Sequence, residues 1–398
     1  MIDPAIPRFE AAWNTDAIAA DVAAVLALAP GWRVDRVDLE KIRHRMGERG
    51  IVQYRAVGTD GDAKVEWWVT ATAHADGRAA GVAANSQRLG VRPPPGLGRA
   101  VGHHVGLDMV FSVFPLDRRL PAAVELGTGR EFAGLGFEQM VPVRHRAGLG
   151  ATLRIPTCPA SDSPVRGGFL KLHPAGGAVA SARRGSQVAR VLPPRVGAAI
   201  PRLVPDLAEA TITDQVAGES FDQALDLDRA VLVAEGMAAL HQVDAPELPS
   251  CDEVPASRAE RGAGWIRLVM PAAAPALDRA LAEAARLTNG SALVHGDMKP
   301  DHLLIEGSAV TMVDLDSAGM GRPLSDVASL VVRMADRSIA HAVLDAYAAA
   351  RAGTDWRGFD GELALAAVKF ALYHAQHRRP GWEQAVLDTL DGRLALGR

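Results

Sequence analysis

The chain has 398 residues, 48% of them hydrophobic and 23% charged, with a formal net charge of -4. That length allows two or three structural units. The mild charge gives no footprint for nucleic acid or a polyanionic partner, and no apolar run of about 18 residues marks a membrane span. Two cysteines, Cys158 and Cys251, make no disulfide framework and suit a reducing cytosol. The start MIDPAIPRFEAAW has no signal-peptide pattern, so a cytoplasmic location is expected. The bias toward Ala, Arg, Val and Gly, with few Lys, looks like a GC-rich bacterial genome.

In chain order, residues 8–29 place Phe9, Trp13, Ile18, Val22, Val25 and Leu26 on one face of a predicted helix. After Pro30-Gly31 the β-branched and aromatic runs IVQYRAV (51–57) and KVEWWVTATA (64–73) read as strands around a turn-prone GTDGDA. A small-residue stretch (77–90), the Pro/Gly-rich VRPPPGLG and the strand-like MVFSVF (109–114) follow. From about 226 the pattern is helical. Val231, Ala234, Met237, Ala238 and Leu240 recur at helical spacing, with Asp226 or Asp228 as cap. Further helices are predicted over 271–287, 323–334, 336–351 and 358–378, and Pro380 opens a last one. SALVHGD and SAVTMVDLD read as short strands around a loop.

The first half repeats itself. IRHRMGERGIVQYRA (42–56) matches VRHRAGLGATLRIPT (143–157), and each is followed by a strand, a histidine and a small-residue run. The pairs Arg43/Arg144, His74/His173 and Ser86/Ser186 recur in order about a hundred positions apart, which implies a duplicated, mostly β module.

Three carboxylates carry the chemistry. Asp297 stands in His295-Gly296-Asp297, and Asp314 and Asp316 stand in Asp314-Leu315-Asp316, with Asp314 behind the apolar VTMV. Phosphoryl transfer needs an aligned acceptor oxygen, neutralised phosphate charge and a closed site. A loop carboxylate and a metal-binding carboxylate at a strand end supply the first two. The alternative reading of Asp297 is a turn-capping residue.

The segment LVHGDMKPDHLLIEGSAVTMVDLDSAGMGRPLSDVASL resembles the aminoglycoside phosphotransferase and choline kinase family. The likeness is strong over 290–332, weaker over 140–290 and faint before that. It implies an α+β, protein-kinase-like bilobal fold. A duplicated N-lobe-like β-rich module (1–130) would precede a nucleotide-binding N-lobe (131–225) and a mainly helical C-lobe with the catalytic loop and acceptor site (226–398). The implied activity is ATP- and magnesium-dependent phosphorylation of a hydroxyl on a small molecule such as a sugar, amino sugar or antibiotic-like metabolite. Neither nucleic acid nor membrane is an expected partner.

By the same resemblance Asp297 is the catalytic base and Asp314 the principal magnesium ligand. Asp316 either joins the metal or binds loop backbone. The family usually has Asn five residues after the base, and here His302 stands there, a poorer magnesium ligand. Lys299 touches the γ-phosphate or substrate, or is a solvated loop residue. In GGFLKLHP (167–174), Lys171 is placed to grip the α- and β-phosphates, and its counterpart in the first repeat is near Thr72. The lysine's usual Glu partner is replaced by Gln187. Gly148 and Gly150 allow a hairpin to approach the phosphates. Asp326 braces the catalytic loop, as does His295. YHAQHRRPGW (373–382) is where such enzymes bind the acceptor. His302 and Gln187 keep a nucleotide-binding pseudokinase open, and the extra module keeps open a kinase acting on peptide Ser or Thr.

Overall fold

The computed structural model describes residues 3–61, 63–132, 134–156, 167–251, 255–285, 287 and 290–392. Cys158 therefore lies outside the described residues. The architecture is α+β with antiparallel sheets. It divides into one compact unit of Met1–Val179, Leu203–Thr213 and Gln376–Arg378, and a second of Ala180–Arg202, Asp214–Ala375 and Arg379–Arg398.

The first unit begins with a 3-10 turn, Phe9–Trp13, and α1 (Thr15–Val25). Asn14 splits the single helix predicted over 8–29: its backbone is extended, and its side chain accepts the Asp16 and Ala17 N–H groups. Five strands follow with one helix: β1 (Arg33–Arg45), β2 (Arg49–Asp60), β3 (Ala63–His74), α2 (Ala79–Gln87), β4 (Val101–His104) and β5 (Met109–Val113). They form a sheet of order β1-β2-β3-β5-β4. After α3 (Pro121–Gly127) the pattern recurs: β6 (Val141–Arg146), β7 (Gly150–Ile155), β8 (Gly168–Leu172), α4 (Gly177–Val191), β9 (Val196–Ala198), β10 (Arg202–Leu203) and β11 (Ala210–Asp214). Here the sheet order is β6-β7-β8-β11-β10, the same topology, with β9 sent to another sheet.

The duplication reaches single residues. Arg45 pairs with Arg49 and Arg146 with Gly150, so the two hairpins superpose in register. Gly47 and Gly148 take the left-handed turn in each, at φ of 71° and 69°. Asp108 and Glu209, each just before the fourth strand to be paired, both have positive φ, at 50° and 59°, an uncommon conformation for non-glycine residues. Ile51 lies opposite Thr72, and Thr152 opposite Lys171, so the expected equivalence of Thr72 and Lys171 holds in the sheet register. Side chains of both modules, among them Trp68, Phe114, Leu153, Leu170 and Ile212, share one core.

The second unit holds β12 (Glu219–Ser220), α5 (Leu227–Leu240), α6 (Pro255–Val269), α7 (Ala274–Ala284), β13 (Ala292–Val294), β14 (Leu303–Glu306), β15 (Ala309–Met312), β16 (Gly319–Gly321), α8 (Pro323–Val331), α9 (Arg337–Ala350), α10 (Phe359–His377) and α11 (Trp382–Gly392). Asp226 caps α5 through the Arg229 amide at 2.8 Å. The predicted face of α5 is out of phase at one position: Val231 is exposed and Val233 is buried. α6 was not legible in sequence because its Ala, Gly and Arg give little polar contrast. A sheet of order β12-β14-β15-β9 and the β13–β16 pair carry the loops described below. Their core is continuous with α5, α8, α9 and α10 through Met237, Leu293, Leu303, Val327, Tyr347 and Leu363. Among the described residues no helix is long and apolar enough to cross a membrane.

Candidate active site

β13 delivers His295-Gly296-Asp297 from its end. Gly296 has φ 77°, and a Cβ there would lie 2.3 Å from the Ser317 carbonyl, so only glycine fits. His295 is fully buried and donates from Nε2 to the Val313 carbonyl at 2.8 Å. A carbonyl can only accept, so Nδ1 is left as acceptor for the Asp297 amide at 3.3 Å. Asp326, on the first turn of α8, receives the His295 and Gly296 amides on its two oxygens, at 2.6 and 2.9 Å. It also meets His241 Nε2 at 3.2 Å, and His241 Nδ1 meets the Tyr347 hydroxyl at 2.8 Å. Burial pushes the Asp326 carboxyl pKa up, but His241, His295 and the loop amides outweigh it and hold it below the usual value. The loop is thus fastened from beneath by a buried anion.

Asp297 stands above this brace with a side chain 45% exposed. Lys299 Nζ is 3.4 Å from its Oδ2. Burial raises the Asp297 carboxyl pKa, yet Lys299, His302, Arg333 and His295 together bring it below the ordinary value. A carboxylate so held is a weak base that stays ionised and can orient a hydroxyl.

The β14–β15 hairpin brings the other groups in. Val313 donates its N–H to the His302 carbonyl at 3.0 Å, so Asp314 emerges next to His302. One ligand atom from each of Asp297, His302 and Asp314 lies within 4.8 Å of the other two. His302 Nε2 is 3.6 Å from Asp314 Oδ2, and its Nδ1 is buried without a hydrogen-bond partner among the described residues. Burial, Lys299 and His295 push the His302 imidazole down to about 4, so it is neutral and able to ligate. Asp314 sits at φ 61°, ψ 51°, a left-handed conformation that costs a non-glycine residue about 1–3 kcal/mol. Two carboxylates and a neutral imidazole fit a divalent cation. The nitrogen moves the preference away from magnesium toward a first-row transition ion.

Asp316 is turned elsewhere: its Oδ1 accepts from Ser181 at 2.6 Å and its carbonyl from Arg184 at 2.6 Å. Gln187 lies on α4, partly buried, in the second unit. Lys171, on β8 and half-buried, belongs with Gly148 and Gly150 to the first unit. Three functional candidates escaped the sequence reading. Arg333 and Lys369 both act electrostatically with Asp297; burial pulls both pKa values down, and Asp297 offsets part of that. His241 completes the brace. A signal for Lys369 existed: lysine is scarce, five in the chain, and three of those five (Lys171, Lys299, Lys369) sit at candidate positions. In the expected acceptor segment, His374 packs on Phe370 with ring centroids 4.5 Å apart, and the Arg333 guanidinium lies 5.1 Å from the same Phe370 ring.

Residues 162–361 match the family model described as the phosphotransferase enzyme family. No curated protein sequence matches the chain. Among solved structures, the macrolide 2'-phosphotransferase MphH from Brachybacterium faecium is 18% identical, with 64% of this chain and 92% of that one covered at a TM-score of 0.42. Choline kinase from Cryptosporidium parvum is 9% identical, with 69% and 94% covered at 0.46. A thermostable mutant of aminoglycoside phosphotransferase APH(4)-Ia, in ternary complex with ADP and hygromycin B, is 14% identical, with 65% and 94% covered at 0.48.

Proposed function

The chain belongs to the phosphotransferase enzyme family, and we propose that it transfers the terminal phosphoryl group of ATP to a hydroxyl of a small molecule, with Asp297 as the base. The observation that carries this reading is the convergence of Asp297, His302 and Asp314 within 4.8 Å on a loop fastened by Asp326.

In this reading Asp297 accepts a hydrogen bond from the acceptor hydroxyl, aims its oxygen, and takes its proton as that oxygen bonds to the γ-phosphorus and the bond from phosphorus to the bridging oxygen breaks, releasing ADP. His302 and Asp314 hold a divalent ion, which supplies charge neutralisation for the phosphate oxygens. Lys299 keeps Asp297 ionised. Lys171 takes the α- and β-phosphates, and Gly150 leaves room for them beside the hairpin, whereas the space beside Gly148 is taken by the Arg119 side chain. By the family resemblance Gln187 would replace the acid usual for such a lysine, and an amide can hydrogen-bond without neutralising charge.

Arg333 and Lys369 narrow the acceptor. Both place positive charge toward Asp297, which repels a polycationic acceptor and suits a neutral or anionic hydroxyl compound such as a sugar or a sugar acid. The test is phosphate transfer by the purified chain with ATP and either Mg2+ or Mn2+, over a panel of neutral, acidic and cationic hydroxyl compounds. Turnover confined to cationic aminosugars overturns the acceptor class. Stabilisation by ATP that is indifferent to divalent metal, with no turnover on any acceptor, makes the chain a nucleotide-binding pseudokinase instead.

A further inference from the structure

The family match begins at residue 162 and leaves the first module unassigned. A cavity of about 410 Å3, within the range of small-molecule sites, is lined mainly by that module, and His145, Ala147 and Gly148 of the second module complete its wall. Its floor is one face of the sheet: Ile51 on β2, Thr70 and Thr72 on β3, and Ser112 on β5, which lie opposite one another in register. The same face of the second module carries Lys171, opposite Thr152. The duplicated frame therefore puts the cavity where the second module places its phosphate lysine.

The charge is present but has moved. Arg49 occupies the hairpin position that is Gly150 in the second module, and Arg119 reaches the cavity from the loop before α3. Among the described residues neither guanidinium has a hydrogen-bond or ion-pair partner. Burial, Arg119 and Arg45 lower the pKa of Arg49 and Glu48 offsets only part of this, so the cluster holds like charge at close quarters. Arg78 also lines the cavity, with Asp76 at 3.1 Å. The acid in the wall, Asp117, is committed to His145 Nε2 at 3.1 Å and to the Gly148 amide. Thr70 is buried, and among the described residues its hydroxyl has no hydrogen-bond partner.

We propose that this cavity is a second anion site, separate from the transfer site, which binds a small molecule through a phosphoryl group held by Arg49 and Arg119. A planar guanidinium pair matches phosphate oxygens bidentately, and a dianion relieves the repulsion between the two arginines. The sheet face beneath, with Thr72 and Ser112, offers hydroxyls to the rest of the ligand.

The experiment is calorimetric titration of the full chain with inorganic pyrophosphate in EDTA, with ATP binding measured in parallel. The double variant Arg49→Gln/Arg119→Gln is expected to weaken one class of pyrophosphate sites by about 10–100-fold while ATP affinity changes less than about two-fold. Lys171→Ala should leave that class intact, which separates this site from the nucleotide site. Arg119 is exposed, so Arg119→Gln alone keeps the fold if the double variant does not, and it should weaken the same class several-fold. Pyrophosphate affinity unchanged in the arginine variants, or a single binding event abolished by Lys171→Ala alone, overturns the proposal whatever becomes of the phosphotransferase reading.

Discussion

In the second module the strand ending at Leu172 presents Lys171 across from Thr152, and the hairpin turn passes through Gly148 to Gly150. In the first module the same strand position is Thr72 across from Ile51, and the hairpin passes through Gly47 to Arg49. The backbones agree down to the left-handed turn residues, yet the charge lies on a strand in one copy and on a hairpin in the other. A sheet register fixes where a side chain points; it does not fix what the side chain is. Duplication therefore preserves a backbone position while leaving free which residue occupies it.

The proposed function gives the two modules different roles, and variants can break that contrast. The largest effect is expected from Asp297→Asn: rate falls by about 10²–10⁴-fold with ATP affinity kept. An unchanged rate removes the base from the site, and with it the reason to separate the two modules by function.

Next is Asp326→Asn. It removes a buried anion that three groups depend on, and about 2–4 kcal/mol of stability should be lost at neutral pH. The sign follows from the depressed carboxyl. Ionised Asp326 stabilises the fold above the ordinary value of 3.8, and that stabilisation disappears as pH falls through 3.8 toward the lower folded value. Unfolding curves of wild type and variant should converge in that acid window. A gap independent of pH there would mean that shape and not charge braces the loop.

Lys171→Ala should raise the KM for ATP by about 10–100-fold, whereas Thr72→Ala at the equivalent position should change it less than about two-fold. This pair sharpens the contrast most directly, because equal losses would mean that the two copies share one role. The smallest effect is expected from His302→Asn. Exchanging imidazole for an amide oxygen should shift metal preference from Mn2+ toward Mg2+ by several-fold in metal titrations of activity.

The reaction class was legible because the segment from His295-Gly296-Asp297 to Asp314-Leu315-Asp316 resembles a phosphotransferase family, and the chain belongs to one. The repeat was legible because hairpin turns demand glycine, and Gly47 and Gly148 mark the same turn twice. The role of Asp316 was not, since DLD reads alike whether its second acid faces a metal or, as the fold has it, Ser181. Nor could the sequence show that Asn14 would interrupt a regular apolar stripe, because a side-chain cap competes locally with the helix it begins.

By itself, then, the sequence determined the α+β class, the doubled module and the phosphotransferase family. These rest on local signals: periodicity, turn residues and short spacings along one chain. Only the tertiary structure decided that His241 and Asp326, 85 positions apart, brace the Asp297 loop, that Arg333 and Lys369 interact electrostatically with Asp297, and that Arg49, Thr70 and Arg119 line one cavity. Burial, and the charges it brings together, are properties of the packed chain, and no single segment carries them.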